Sequence, residues 1–227
     1  TLASRLGYLY LDTGALYRAV ALLTEREGLL DAPGRVLGAM IRNADIRLFG
    51  SPEHLKVLVE GLDVSAEIRT ERISQLSSRL SAIPEVRGAL LALQRRLGEG
   101  GCIVMDGRDI GTVIFPGADV KFFVFASAGA RARRRHDELL AKGLDPDPER
   151  VRSELEERDR RDAGREHAPL RAAGDAVTIA STLIERTPVF GRMLAGGKSA
   201  GLGGVDAWRA LMIMASSATA SARCWPA

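Results

Sequence analysis

Arginine is the residue type whose placement first asks for a chemical explanation. Arg131, Arg133, Arg134 and Arg135 stand close together, and so do Arg158, Arg160, Arg161 and Arg165. A solvated helix face is the ordinary source of such groups. The sharper reading is a small phosphorylated ligand, because a guanidinium grips phosphate oxygens in a planar fork. Two acidic turns accompany the arginines. Asp12-Thr13-Gly14 follows the apolar, aromatic run from Tyr8 to Leu11, and Asp106-Gly107-Arg108-Asp109 follows Cys102 to Met105. The net charge of +3 is too small to argue for a nucleic-acid partner.

The elements that must carry these residues alternate. Tyr8 to Leu11, Cys102 to Met105, Val120 to Phe125 and Ala176 to Ile179 read as short buried strands. Helices are predicted over Ala15 to Gly28, Pro33 to Asn43, Glu67 to Leu80, Glu85 to Leu97, Ala130 to Lys142 and Glu149 to Arg161. Ile46 to Leu48, Lys56 to Val59 and Leu62 to Val64 suggest a small separate sheet. Strands alternating with helices imply an α/β fold, a mainly parallel sheet covered on both faces. Ligands of such folds bind at the carboxyl ends of the strands, where both acidic turns fall.

Four motifs then carry a resemblance over roughly residues 8 to 182. Leu11-Asp12-Thr13-Gly14-Ala15-Leu16-Tyr17-Arg18 resembles the nucleotide-binding turn and helix of bacterial-type cytidylate kinases. Asp106-Gly107-Arg108-Asp109-Ile110-Gly111-Thr112 is similar to their second hallmark, and Glu157-Arg158-Asp159-Arg160-Arg161-Asp162 to the third. Glu67-Ile68-Arg69-Thr70 matches as well. The resemblance implies a three-layer P-loop kinase fold over residues 1–186, with a monophosphate-binding insert near 44–98 and a short lid near 136–152. It implies direct transfer of a phosphoryl group from ATP to CMP or dCMP, with Mg2+. Arg18, Arg108 and Arg165 would hold the monophosphate. Ser78, Arg87 and Asp109 would read cytosine, and Thr13, Arg158 and Asp162 would meet the sugar. Tyr17 would flank the nucleotide unless it serves the core, and Asp106 would sit in the substrate turn. Arg131 and Arg134, with Arg135, would enter the lid and stabilise the transferring phosphate together with Arg108, Arg158 and Asp162.

The sequence departs from that pattern at both ends. The glycine-rich loop and lysine that wrap ATP phosphates in such kinases are expected to be missing. Thr1 stands where the loop's last residue would be, the one hydroxyl there for ATP and its magnesium. The 227 residues alone are therefore expected to be close to inactive. Gly191, Gly196, Gly197, Lys198 and Ser199 nearly spell the loop, but Arg192 occupies a required glycine position. From 187 to 227 the chain is rich in Gly, Ala and Ser and holds the whole net charge, with Arg192, Lys198, Arg209 and Arg223 against Asp206. That stretch is expected to be poorly ordered, to expose Leu211 to Met214, and to be removable without loss of melting temperature.

Composition sets the remaining expectations. Hydrophobic residues at 46% and charged ones at 27% describe an ordinary soluble chain. No apolar run suggests a membrane span or a signal peptide. Cys102 and Cys224 form no metal pattern, which fits a reducing, cytoplasmic compartment. We expect a monomer whose partners are CMP, dCMP and ATP, with neither nucleic acid nor membrane among them. Two other functions stay open: a non-catalytic pyrimidine nucleotide-binding remnant, and a kinase for a related monophosphate such as UMP or for a shikimate-like acid.

Overall fold

The structure is a computed structural model, and it describes residues 2–49, 55–164 and 170–183 together with the backbone of 210–217. Five parallel strands form the main sheet: β1 (Leu9–Asp12), β5 (Ile103–Gly107), β6 (Val120–Ala126), β7 (Val177–Ala180) and β8 (Ala210–Ser217). Their spatial order is β1-β5-β8-β6-β7. Alternation along β5 divides its side chains between the two faces. Val104 joins Leu2, Ala3, Val120, Phe122 and Ile179 in a cluster that includes residues of the short helix α1 (Leu2–Leu6). Ile103 and Met105 join Leu11, Ile110 and Ile114 in a second cluster.

The largest apolar cluster lies with the helices. The helix α2 (Thr13–Arg26) buries Ala15, Leu16, Ala19, Val20 and Leu23. They pack with Leu37 and Ile41 of α3 (Gly34–Asn43), with Ile73 and Leu80 of α4 (Glu71–Leu80), and with Val86 and Leu90 of α5 (Pro84–Gly98). Val57 and Val59 of a small antiparallel sheet complete the cluster. That sheet is β2 (Ile46–Phe49), β3 (Lys56–Val59) and β4 (Leu62–Asp63). Glu60 and Gly61 join its last two strands with φ of 50° and 78°, the left-handed pair that a two-residue hairpin needs. Two charged helices, α6 (Ala128–Ala141) and α7 (Pro148–Ala163), pack on each other.

Three features differ from the sequence reading. The predicted helix from Glu67 to Leu80 is broken. Glu67–Arg69 makes one tight turn, and Thr70, with ψ of 151°, caps α4 by accepting from the Ile73 N–H. A threonine hydroxyl satisfies an orphan donor at a helix start, which favours a new start over continuation. After Asp109 the chain makes a wide turn over Ile110–Ile114, in which the Phe115 N–H reaches back to Ile110 O at 2.7 Å. Third, Ala210–Ser217 lies in the stretch expected to be poorly ordered, yet there the backbone forms β8. It pairs with Ile103–Gly107 on one side and Val120–Ala126 on the other. The rest of 184–227, including the near-loop at Gly191 to Ser199, lies outside the described residues. Among the described residues no helix is long and apolar enough to cross a membrane.

Candidate functional site

The two acidic turns come together because β1 and β5 are neighbours in register. Asp12 is paired with Asp106 across the ladder. Asp12 caps α2, its Oδ1 accepting from the Ala15 N–H at 3.1 Å, and its Oδ2 accepts from Arg18 Nη2 at 2.8 Å. The Thr13 hydroxyl donates to the Asp106 carbonyl at 2.8 Å. The crossing is so close that a Cβ at Gly107 would run into Thr13 Oγ1 and Ile110, so only glycine suits that position. Asp106 is half-buried. Desolvation, then the Asp12 carboxylate, pushes its carboxyl up to about 7, against the pull of Arg108, Tyr10 and Arg18. Burial and the same two carboxylates raise the Tyr10 phenol, which is hydrogen-bonded to Asp106.

These turns floor a pocket of about 200 Å³. The strand ends and α2 contribute Thr13, Tyr17, Arg18, Asp106, Arg108 and Asp109. From α4 and α5 come Ser78 and Arg87, and from α7 come Arg158 and Asp162. Three of its arginines are each held by an aspartate. Arg18 pairs with Asp12, Arg87 with Asp109, and Arg108 Nη1 lies 2.5 Å from Asp162 Oδ2. A guanidinium has five N–H donors in a rigid fork, so one carboxylate orients it and leaves donors for a ligand. The Arg87–Asp109 pair is enclosed, with side-chain exposures of 12% and 10%. Ser78 is buried beside it in the lining, and its Oγ has no hydrogen-bond partner among the described residues. A buried hydroxyl left so is costly unless a ligand satisfies it.

The arrangement can bind a small anion carrying a planar group with hydrogen bonds of both senses. Guanidinium groups suit the anion. The Arg87–Asp109 pair offers donors and an acceptor side by side, which suits a heterocycle edge.

Ten residues singled out from the motifs and the resemblance they carry thus meet in one pocket. Arg131 and Arg134 do not line it. Both Nη atoms of Arg131 bond the carboxylate of Asp159, and its Nε donates to Ala126 O at 3.2 Å. Arg134 donates to the Ser181 carbonyl at the end of β7. Arg135 pairs with Glu71 at 2.7 Å and with Glu138 at 3.1 Å. Arg165 and Thr1 lie outside the described residues. Sequence reasoning passed over Ser77 and Ser81, which line the pocket next to Ser78. Their repetition in Ser77-Ser78-Arg79-Leu80-Ser81 was the available signal. The second hydroxyl holds the turn, since Ser81 Oγ donates to Ser78 O at 2.8 Å.

A wider cleft of about 780 Å³ adjoins the pocket and shares Asp12, Arg18, Ser78 and Arg158 with it. It runs between α4 and the α6–α7 pair. Two contacts span it, Glu71 to Arg135 and Gln75 Nε2 to Glu154 at 3.3 Å.

Residues 1–197 match the family described as cytidylate kinase. Curated proteins named cytidylate kinase are similar over most of their lengths. That of Syntrophotalea carbinolica is 50% identical over 193 residues, covering 85% of this chain and 82% of the relative. That of Geobacter sp. strain M21 is 50% identical over 181 residues, covering 80% and 78%. That of Geobacillus kaustophilus is 45% identical over 193 residues, covering 85% and 86%. The family match ends before Ala210, the first residue of β8.

Proposed function

The chain belongs to the cytidylate kinase family, and from that premise we propose that it moves the γ-phosphoryl group of ATP to the 5′-phosphate of CMP or dCMP. The observation that carries the reading is the pocket's composition. An enclosed Arg87–Asp109 pair and an orphan Ser78 hydroxyl share it with Arg18, Arg108 and Arg158. Asp109 accepts from the cytosine amine, and Arg87 donates to ring N3 and O2. Ser78 Oγ takes a further hydrogen bond from the base edge. Thr13 and Asp162 serve the sugar hydroxyls.

Arg18 and Arg108 neutralise the monophosphate, joined by Arg165 on the family pattern, while Arg158 meets the sugar beside Asp162. Two polyanions otherwise repel, so charge neutralisation and in-line positioning supply most of the catalysis. A phosphate oxygen of CMP forms the new P–O bond as the β–γ bridging bond breaks, and ADP leaves with that electron pair. No covalent enzyme intermediate is needed. Magnesium takes one or two protein carboxylates and completes its shell with water and substrate phosphates. Asp12 and Asp106 stand on adjacent strand ends, but both Asp12 oxygens are engaged by the Ala15 N–H and Arg18, and the Asp106 carboxyl is pushed up to about 7. The pair therefore does not fit the ion, which would rest on the nucleotide phosphates and water. When bound, the ion would offset charge on the phosphates.

Titration calorimetry with CMP and UMP tests the reading. Uracil carries a carbonyl where cytosine carries the amine, so Asp109 would lose its partner. A hydrogen bond to a charged group contributes about 1.5–3 kcal/mol, which corresponds to roughly a tenfold to hundredfold preference for CMP. Asp109→Ala should narrow that gap. Arg108→Ala should weaken both nucleotides alike, since phosphate carries no base information. Equal affinity of the unmutated, folded chain for CMP and UMP would overturn the base assignment.

A further inference from the structure

The helix α7 has 16 residues, and Val151 is its one buried apolar residue among the described contacts; Asp159 and Asp162 are its other buried residues. A helix normally takes its rotation about its own axis from an apolar stripe against the core. Here that stripe is almost absent, so polar contacts must set the rotation. Asp162 faces Arg108 inside the nucleotide pocket. Asp159 does not line the pocket. It is 7% exposed and grips Arg131 at two points, Nη1 to Oδ1 at 3.2 Å and Nη2 to Oδ2 at 2.5 Å. Arg131 in turn donates from Nε to the carbonyl of Ala126, the last residue of β6. The chain of contacts therefore runs from a sheet strand, through one arginine, to α7.

We infer that Asp159 is a positioning residue for the nucleotide site, fixing through Arg131 the roll of α7 and hence the places of Arg158 and Asp162. Those two are four residues apart and share one face of the helix, while Asp159 lies about 100° from Arg158. The pair Asp162–Arg108 lies inside the pocket, where both members also meet the nucleotide, so its geometry adjusts to the ligand. The pair Asp159–Arg131 is outside the pocket and survives binding. A roll of about 20° would carry a side-chain tip at the helix's radius of about 5–6 Å through roughly 2 Å. Displacements of about 1 Å can cost about 10²-fold in reaction rate, and they weaken binding by lengthening the charged hydrogen bonds to the nucleotide.

The inference rests on the kinase reading, and calorimetry on the full chain separates the two. Asp159→Ala and Arg131→Ala should each weaken CMP and UMP by about the same factor, roughly tenfold to hundredfold for one charged hydrogen bond to the nucleotide, leaving the CMP:UMP ratio unchanged. The double variant should be no weaker than either single one, because both remove the same contact. Asp159→Asn keeps one acceptor for Arg131 but loses the charge of the pair, and should show a partial loss of affinity, roughly threefold to tenfold. Near-UV circular dichroism checks that each variant is folded. If the alanine variants fail to fold, the asparagine variant decides, and affinity identical to the unmutated chain counts against the inference. Folded Asp159→Ala with unchanged CMP affinity overturns it. So does full additivity of the two losses, since Arg131 would then act on the nucleotide itself. If the unmutated chain binds neither nucleotide, the kinase reading fails and this inference falls with it.

Discussion

Asp106 is the residue at which one proton matters most. In an unfolded chain its carboxyl titrates near about 3.9, and in the fold it is pushed up to about 7. Between those values the folded state holds a proton that the unfolded state has released. Its contribution to stability is therefore complete below about pH 4 and is lost as pH rises through the folded value. Asp106→Asn removes the ionisation. In chelator-treated buffer without nucleotide, the unmutated chain should lose more melting temperature between pH 5 and pH 8 than the variant. The variant should melt higher at pH 8. Parallel curves would mean that Asp106 is ionised throughout. The turn around Asp106 was legible because its chemistry is local: a strand, a glycine that admits Thr13, and charged residues on consecutive positions. Arg131 and Arg134 were less legible for the opposite reason. Arginines on a charged helix suit a phosphate and a neighbouring carboxylate equally well. What decides is the partner, and Asp159 and Ser181 come from segments distant in sequence.

At the scale of elements, periodicity exposed most of the fold. The apolar stripe of α2 and the buried runs of β5 and β6 appear where the pattern puts them. Breaks were harder, because Thr70 ends a helical pattern by capping rather than by interrupting the apolar period. The strand β8 was hardest of all. Leu211, Met212, Ile213 and Met214 read as apolar residues stranded in a Gly-, Ala- and Ser-rich stretch. Only the vacancy between β5 and β6 gives such a run a place, and a vacancy is a property of the assembled sheet. Ile213 is paired with Asp106 on one side and Phe122 on the other. Ile213→Pro deletes a ladder donor from a central strand, where proline is not accommodated. One buried carbonyl left without its donor costs about 1–3 kcal/mol. For a chain of this length that is a fall of roughly 2–12 °C in melting temperature. An unchanged midpoint in thermal and urea unfolding would show that the sheet does not depend on β8.

The whole molecule is divided by one cleft and unified by one sheet. The cleft is spanned by Glu71–Arg135 and Gln75–Glu154; Glu71 and Gln75 are exposed and Arg135 and Glu154 half-buried, so each contact holds the α6–α7 pair to α4 only weakly. The sheet is another matter. β5 and β6 do not pair with each other, and β8 joins them. It stands in the middle of the sheet, yet it is the last described strand in the chain, more than a hundred positions after Gly107. Contacts so distant in sequence form late and slowly. Refolding from urea should therefore be slow, and its yield should fall as protein concentration rises. Complete, concentration-independent recovery within milliseconds would contradict this order of events. During synthesis the same geography has a biological cost. While the ribosome is still making residues beyond Ala180, the nascent chain shows two open strand edges, each a template for a neighbour's strand. A chaperone that shields strand edges, added during cell-free synthesis of this chain, should therefore raise its soluble yield.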